Sequence, residues 1–225
     1  MKAVWWLGCA AALVAATSHA KDVVELKNDK QKFSYSVGIQ VGQNLKRQNL
    51  DYDAKALSQG IQDALAGTTP KLSDAQMRAA MEAAQKKEVE KREAAAKKNL
   101  ETGKAYLADN KKKAGVVARE SGLQYKVMKD GKGKQPKATD TVQVHYRGTL
   151  INGTEFDSSY KRGEPATFPV NGVIQGWQEV LPLMKEGAKW QVWIPSDLAY
   201  GARGAGGAIG PNETLIFEIE LLAVK

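Results

Sequence analysis

Thiols and imidazoles are nearly missing from this chain of 225 residues, which has one cysteine and two histidines. Cys9 and His19 both fall in the first twenty residues, where Lys2 precedes an apolar run, Ala3–Ala16, and Ser18-His19-Ala20 follows as a small-x-small cleavage site. That pattern reads as a secretory signal peptide over residues 1–20. Removing it leaves a mature chain with no disulfide and no thiol nucleophile. A lipoprotein reading of Trp6-Leu7-Gly8-Cys9, with lipid on Cys9, stays open, although the apolar stretch before it is short. His145 is then the last histidine. It alternates with Val144 and Tyr146, so it points away from whatever face they line and reads as a solvated strand residue. A Ser-His-Asp device would need it inward, and a zinc site would need three or four His/Cys ligands. No other apolar run approaches membrane length, so no membrane span is expected. Export without disulfides points to a bacterial periplasm, with association to the outer membrane or cell surface left open.

Acidic residues are also in deficit. The net charge is +8 and the sequence pI about 9.4, which raises nucleic acid or a membrane surface as partner. The excess is unevenly placed. Residues 21–72 carry eight Lys/Arg against six Asp/Glu, residues 73–113 eleven against seven, and residues 114–225 thirteen against twelve. The basic surplus sits where Lys and Glu interleave, which is the pattern of a solvated helix face. No nucleic-acid partner is expected.

The helical half comes first. Phe33, Val37, Val41 and Leu45 recur every four residues, with Ile39 widening the stripe. Asn49-Leu50-Asp51 breaks it, and Asp53 caps a second helix carrying Leu57, Ile61 and Leu65, which Gly67 ends. Two short helices cannot enclose a core, so residues 21–72 are expected to pair with a second copy, packing on the C-terminal domain being the alternative. Ser73-Asp74-Ala75-Gln76 is a capping box opening a long helix over residues 73–113, rich in Ala, Lys and Glu. The pairs Glu82/Lys86, Glu88/Arg92 and Glu93/Lys97 have favourable spacing. This helix is polar all round and reads as a bridge of roughly 60 Å.

From Ser121 the period changes to two. Leu123, Tyr125 and Val127 alternate, as do Val142, Val144 and Tyr146, then Trp190, Val192 and Ile194 with Trp193 opposite. Leu215–Val224 makes a last strand, and one short helix covers 177–184. The expected class is α+β: an all-helical N-terminal dimerisation region, a long connecting helix, and a C-terminal antiparallel sheet wrapped on a short helix, the last over residues 114–225. Within it Val173-Ile174-Gln175-Gly176-Trp177 reads as a strand end, a turn and a buried ring that can floor a pocket. The run Gly201–Gly210 lacks a Lys-Ser/Thr ending, and Pro211 follows where a phosphate cradle needs a helix. It reads as a loop over that pocket. What remains is an apolar aromatic cavity with four placed polar groups: Asp157, Tyr146, Arg162 and Tyr200.

In order, Tyr146, Phe156-Asp157, Arg162, Phe168, Val173-Ile174, Trp177, Tyr200, Ile209 and Phe217 make residues 118–225 resemble a peptidyl-prolyl isomerase domain of the FK506-binding-protein type. The helical half resembles the exported, dimeric subgroup typified by the macrophage infectivity potentiator. The resemblance implies catalytic Asp157, Tyr200 and Tyr146. It implies substrate binding by Phe156, Arg162, Phe168, Val173, Ile174, Trp177, Ile209 and Phe217, with no cofactor and no metal. It further implies proline-containing unfolded or partly folded proteins as substrates, macrolides of the FK506/rapamycin class as inhibitors, and a homodimer through residues 21–72. Familiar single-domain members often carry a bulky aromatic where this chain has Ala166 and a His where it has Ala205, both expected at the rim. The competing reading is a holdase-type periplasmic chaperone or peptide-binding module with incidental isomerisation.

Overall fold

The structure, a computed structural model, describes residues 25–47 and 51–225. The expected signal segment, and Asn49 and Leu50 of the expected break, lie outside these residues. The chain divides into two compact units, Met1–Asp51 and Tyr52–Lys225. Among the described residues no helix is long and apolar enough to cross a membrane.

Helix α1 (Asp29–Arg47) is the described element of the first unit. Asn28 and Gln31 cap its start reciprocally, Asn28 Oδ1 accepting from the Gln31 N–H at 2.9 Å and Gln31 Oε1 from the Asn28 N–H at 3.1 Å. Its stripe is in the open, with Phe33 71% and Val41 41% exposed.

The second unit begins with α2 (Ala54–Ala66). Asp53 accepts from the N–H groups of Lys55 and Ala56, and Gly67 closes the helix at φ 67. The cap signals therefore acted where the sequence placed them, because each satisfies backbone groups that the helix leaves orphaned. Helix α3 (Asp74–Asn110) starts on the Ser73/Gln76 capping box and runs 37 residues, about 55 Å at the α-helical rise. Its ion pairs differ from those expected. Lys86 lies 4.0 Å from Glu90 and Lys91 3.8 Å from Glu88, and Arg92 donates instead to the Arg203 carbonyl. Exposed pairs of this kind differ by only tenths of a kcal/mol, so spacing alone does not select among them.

Seven strands follow: β1 (Val116–Ala118), β2 (Gln124–Lys129), β3 (Thr141–Leu150), β4 (Glu155–Ser158), β5 (Ala166–Pro169), β6 (Lys189–Ile194) and β7 (Leu215–Val224). They form one antiparallel sheet ordered β1-β2-β6-β7-β3-β4, with β5 also paired to β3. Strands β4 and β5 share the free side of β3, β4 on Arg147–Thr149 and β5 on Thr141–Val144. Three of the seven, β1, β4 and β5, are three or four residues long and too short to show a period. That is why alternation did not reveal them. Val127 is 39% exposed, so the alternation read over Leu123–Val127 fades toward the end of β2.

The short turn α4 (Ser159–Arg162) and the helix α5 (Gln175–Val180), continued by a 3-10 turn at Leu181–Leu183, lie in the long connections. Val173 and Ile174 do not end a strand as expected. They form an extended link between a 3-10 turn at Val170–Gly172 and α5. The core between α5 and the sheet is apolar: Val142, Val144, Val180, Leu181, Met184, Val192, Ile194, Leu215 and Ile219 are fully buried. Gly176 lets α5 descend onto β6, since a Cβ there would lie 2.5 Å from Ile194 Cγ2.

The far end of α3 is not a free bridge. Asn110 and Gly103 are buried, and Asn110 Nδ2 donates to Gln124 Oε1 at 3.0 Å on β2. The expectation of a helix solvated all round holds for its first half only.

Gly176→Ala is expected to destabilise the sheet unit by about 1–3 kcal/mol, the usual cost of overfilling a packed core. Urea unfolding followed by tryptophan fluorescence measures it.

Candidate functional site

The pocket is built on Trp177. Placed third in α5 and 4% exposed, its ring meets three others edge-on. Tyr146 lies 5.4 Å away at 88°, Phe168 5.9 Å at 89°, and Phe217 5.3 Å at 81°. Phe156 in turn meets Phe217 at 5.5 Å and 84°. Edge-to-face pairs favour the positive ring edge over a negative ring face, adding about 0.5–1.5 kcal/mol each beyond area burial. The Trp177 Nε1–H is buried and has no hydrogen-bond partner among the described residues.

Register explains why these rings converge. Gly148 on β3 stands opposite Asp157 on β4 and Phe217 on β7. A Cβ at Gly148 would lie 2.5 Å from the Phe156 ring and 2.8 Å from Phe217. Glycine here is the gap that lets two phenylalanines meet across the strand between them.

The cavity measures about 720 Å³ and is lined by Tyr146, Phe156, Asp157, Phe168, Val173, Ile174, Trp177, Tyr200, Ile209 and Phe217. Ten of the eleven residues expected at the site therefore share one wall system. Arg162 is the exception, because it stands behind the carboxylate rather than facing the cavity. The α4 turn puts it there. Ser158 caps that turn, Gly163 ends it at φ 77, and the guanidinium folds back five residues onto Asp157. Gly172 and the segment 205–208 also line the cavity. The Gly-rich loop was legible as a cover, whereas Gly172 carries no signal because it contributes backbone only. Ala205 lines the pocket as expected. Ala166 does not; it pairs with Val144 and packs against the core.

Three polar groups close a ring at one side. The Tyr146 hydroxyl donates to Asp157 Oδ2, Arg162 Nη1 donates to Asp157 Oδ1 at 2.5 Å, and Arg162 Nη2 donates to the Tyr146 oxygen at 2.9 Å. The guanidinium carbon also lies 5.5 Å from the centre of the Tyr146 ring. Burial works to raise the Asp157 carboxyl, but the hydrogen bonds from Tyr146 and Arg162, with the arginine charge, outweigh it and hold the group below the usual carboxylate range. Burial and the bond to Asp157 push the Tyr146 phenol up. At neutral pH the side wall thus carries a fixed carboxylate, a protonated phenol and a guanidinium. Tyr200 also lines the cavity, is 41% exposed, and makes no hydrogen bond through its hydroxyl among the described residues.

His145 points to the other face of β3, as expected, but is not merely solvated. Its Nδ1 lies 3.0 Å from Ser159 Oγ and its ring stacks on Tyr160 at 4.6 Å. Tyr160 and Ser159 come from α4, which alternation along β3 could not foresee. Among the described residues no cluster of His, Cys, Asp or Glu is placed to hold a metal ion.

An ordered aromatic cavity of this make, with one braced carboxylate, can seat a small apolar ring and leave a hydroxyl at its lip. Comparison with known proteins agrees in sequence and in fold. Residues 132–222 match the family described as FKBP-type peptidyl-prolyl cis-trans isomerase, and residues 30–127 match the domain amino terminal to it. The chain is 48% identical over 210 residues to the outer membrane protein MIP of Legionella longbeachae, covering 92% of this chain and 90% of that protein. It is 50% identical over 193 residues to the FKBP-type 22 kDa peptidyl-prolyl cis-trans isomerase of Escherichia coli K12, covering 85% and 93%. The crystal structure of FkpA from Escherichia coli superposes with a TM-score of 0.64 at 41% identity, covering 88% of this chain and 98% of that one. With relatives near half identity along nearly its whole length and both parts of the family matched in order, the chain belongs to the FKBP-type peptidyl-prolyl cis-trans isomerases.

Proposed function

We propose that the Trp177 cavity isomerises X–Pro bonds in exported proteins, with the proline ring held against Trp177, Phe156, Val173, Ile174 and Phe217. The observation that carries this reading is an apolar aromatic floor with its charges confined to one wall. Rotation about an X–Pro bond faces a barrier of about 18–20 kcal/mol set by amide resonance, and unaided it takes tens of seconds or more. No bond breaks and no proton moves. A twisted amide has less charge separation than a planar one, so a dry apolar cavity favours it over the ground state. Tyr200, with a free hydroxyl at the lip, donates to the substrate carbonyl. Asp157, held by Tyr146 and Arg162, fixes the side wall and its field.

The substrates are proline-containing unfolded or partly folded chains, and the site is periplasmic after removal of residues 1–20. Macrolides of the FK506/rapamycin class inhibit by filling the same cavity. The domain limits we adopt are 21–72 for dimerisation, 73–113 for the long helix and 114–225 for the isomerase. The exposed faces of α1 and α2 support pairing with a second copy: Phe33, Ile39, Val41 and Leu65 are 71%, 44%, 41% and 85% exposed. Burying each such side chain is worth about 1.5–3 kcal/mol. A dimer offers a long client two sites at raised effective concentration, which a tetrapeptide cannot use. The holdase alternative is not favoured, since the matched family and the built cavity both point to isomerisation.

In a proline tetrapeptide assay with the full-length protein, Tyr200→Phe is expected to lower kcat/KM about threefold to tenfold, the scale of one hydrogen bond. Asp157→Leu should lower it on the order of tenfold, as a charged hydrogen-bond acceptor is lost. Tyr200→Phe should unfold at the wild-type temperature, and Asp157→Leu should remain folded but unfold somewhat below it, having lost the bonds from Tyr146 and Arg162. Unchanged turnover in both would overturn the site, and no activity in the unaltered protein would overturn the function.

The pH profile follows from the direction of the Asp157 shift. A carboxyl lowered on folding stabilises the native state above its unfolded value, about 3.9 for Asp, and that contribution is lost as pH falls through the lower folded value. Turnover is expected to be flat from about pH 5 to pH 9. Its acid limb should begin only below the ordinary carboxylate range and should vanish in Asp157→Asn.

Val41→Glu is expected to give monomers in sedimentation velocity, with tetrapeptide activity near normal and reduced acceleration of proline-limited protein refolding. A variant that still sediments as a dimer would overturn the interface.

A further inference from the structure

The connection between β6 and β7 carries the outer wall of the pocket, Tyr200 and residues 205–209. Leu198, Ala199 and Ile209 pack on the core, but its backbone hydrogen bonds run mostly within itself. The Gly204 N–H donates to the Tyr200 and Gly201 carbonyls, Ala205 N–H to the Ile209 carbonyl, and Ile209 N–H to the Gly206 carbonyl. Tyr200 is 41% exposed with no bond at its hydroxyl among the described residues, so its ring is aimed by its backbone rather than held at its tip.

That backbone is held from an unexpected side. Arg92, Ala96, Asn99, Gly103, Leu107 and Asn110 recur along α3 at steps of four, three, four, four and three, which is one face of a helix. This face docks without an apolar stripe. Arg92 Nη2 donates to the Arg203 carbonyl at 2.8 Å, Asn99 Nδ2 to the Pro211 carbonyl at 2.9 Å, and Asn212 Nδ2 to the Ala96 carbonyl at 3.2 Å. Gly103 sits so near Thr214 that a Cβ would lie 2.3 Å from its Oγ1. Farther along, the Leu107 carbonyl and Asn110 both bond Gln124.

Asn212 joins the two halves of this arrangement. It is the one non-glycine at positive φ among the described residues, at 55°, a conformation that asparagine tolerates better than most residues. While its side chain reaches α3, its backbone N–H donates to the Gly201 carbonyl at 2.9 Å. One residue therefore links the long helix to the residue next to Tyr200.

We propose that the polar seam on α3 positions the pocket wall for catalysis, with Asn212 and Asn99 as the positioning residues that set Tyr200. This rests on the isomerase reading of the pocket. A hydrogen-bond donor misplaced by about 1 Å can lose much of its effect on a reacting group, and the seam is a hydrogen-bonded anchor for this connection that lies outside it. The long helix is thus a working part of the site as well as a spacer, and a distortion of its second half is felt in turnover.

The test uses full-length protein. Asn212→Gly keeps the left-handed backbone without strain and deletes the side-chain tie, although it also frees the backbone there; Asn99→Ala removes a second tie from the helix side and leaves the loop backbone unaltered. Each is expected to lower kcat for an X–Pro tetrapeptide about threefold to tenfold with KM little changed, the scale of one lost hydrogen bond. Amide hydrogen exchange at Gly204 in both variants, and at Asn212 in Asn99→Ala, should quicken about tenfold on the same grounds. In a Tyr200→Phe background the further loss in kcat should shrink to under about twofold, since coupled residues are not additive. Unchanged exchange at those amides, or an undiminished loss in the Tyr200→Phe background, would overturn the proposal. Absence of activity in the unaltered protein would instead overturn the function proposed for the pocket, and the exchange rates would still decide whether the seam holds the loop.

Discussion

Everything at the working end of this molecule depends on burying one large ring at the join of a short helix and a sheet. Trp177 is 4% exposed and meets Tyr146, Phe168 and Phe217 at their edges. Those three rings come from β3, β5 and β7, so a single packing event gathers strands that are far apart in sequence. Two glycines make room for it. Gly176 lets α5 sit down on Ile194, and Gly148 leaves the space in which Phe156 and Phe217 meet. The apolar core beneath, from Val142 to Ile219, gives the ring a rigid bed, because close-packed interiors deform little.

The charges at this pocket are kept to one side and are used up by each other. Tyr146, Asp157 and Arg162 form a closed triangle in which every bond is charge-assisted or shared. A carboxylate so held does not act as an acid or base near neutrality, and the reaction assigned to the family calls for neither. Its effect is geometric and electrostatic: it fixes the wall and leaves the cavity floor apolar. His145, next to Tyr146 on β3, belongs to the other face, where Ser159 and Tyr160 occupy it.

The long helix shows two kinds of surface along one element. Its first half is solvated, with ion pairs that contribute little. Its second half docks through asparagines, a glycine and backbone carbonyls. Polar docking of this kind is specific in geometry, since each bond has a preferred distance and direction, but it leaves no hydrophobic period to read.

Sequence by itself determined the local features, because these depend on neighbours in the chain. The caps at Asp53, Gly67 and Ser73 act on groups within four residues, and the long strands β3, β6 and β7 carry enough alternation to reveal a face. The ordered aromatic set with Asp157 was also legible, since the resemblance rests on residue order. Tertiary structure decided what depends on distant partners. The strands β1, β4 and β5 exist because a longer neighbour offers them a ladder, not because three or four residues prefer it. Arg162 lies behind the carboxylate and Ala166 against the core because of how α4 and β5 return to β3. The seam from Arg92 to Asn110 was hidden for the same reason: a hydrogen bond to a carbonyl more than a hundred residues away leaves no mark on the pattern of either segment.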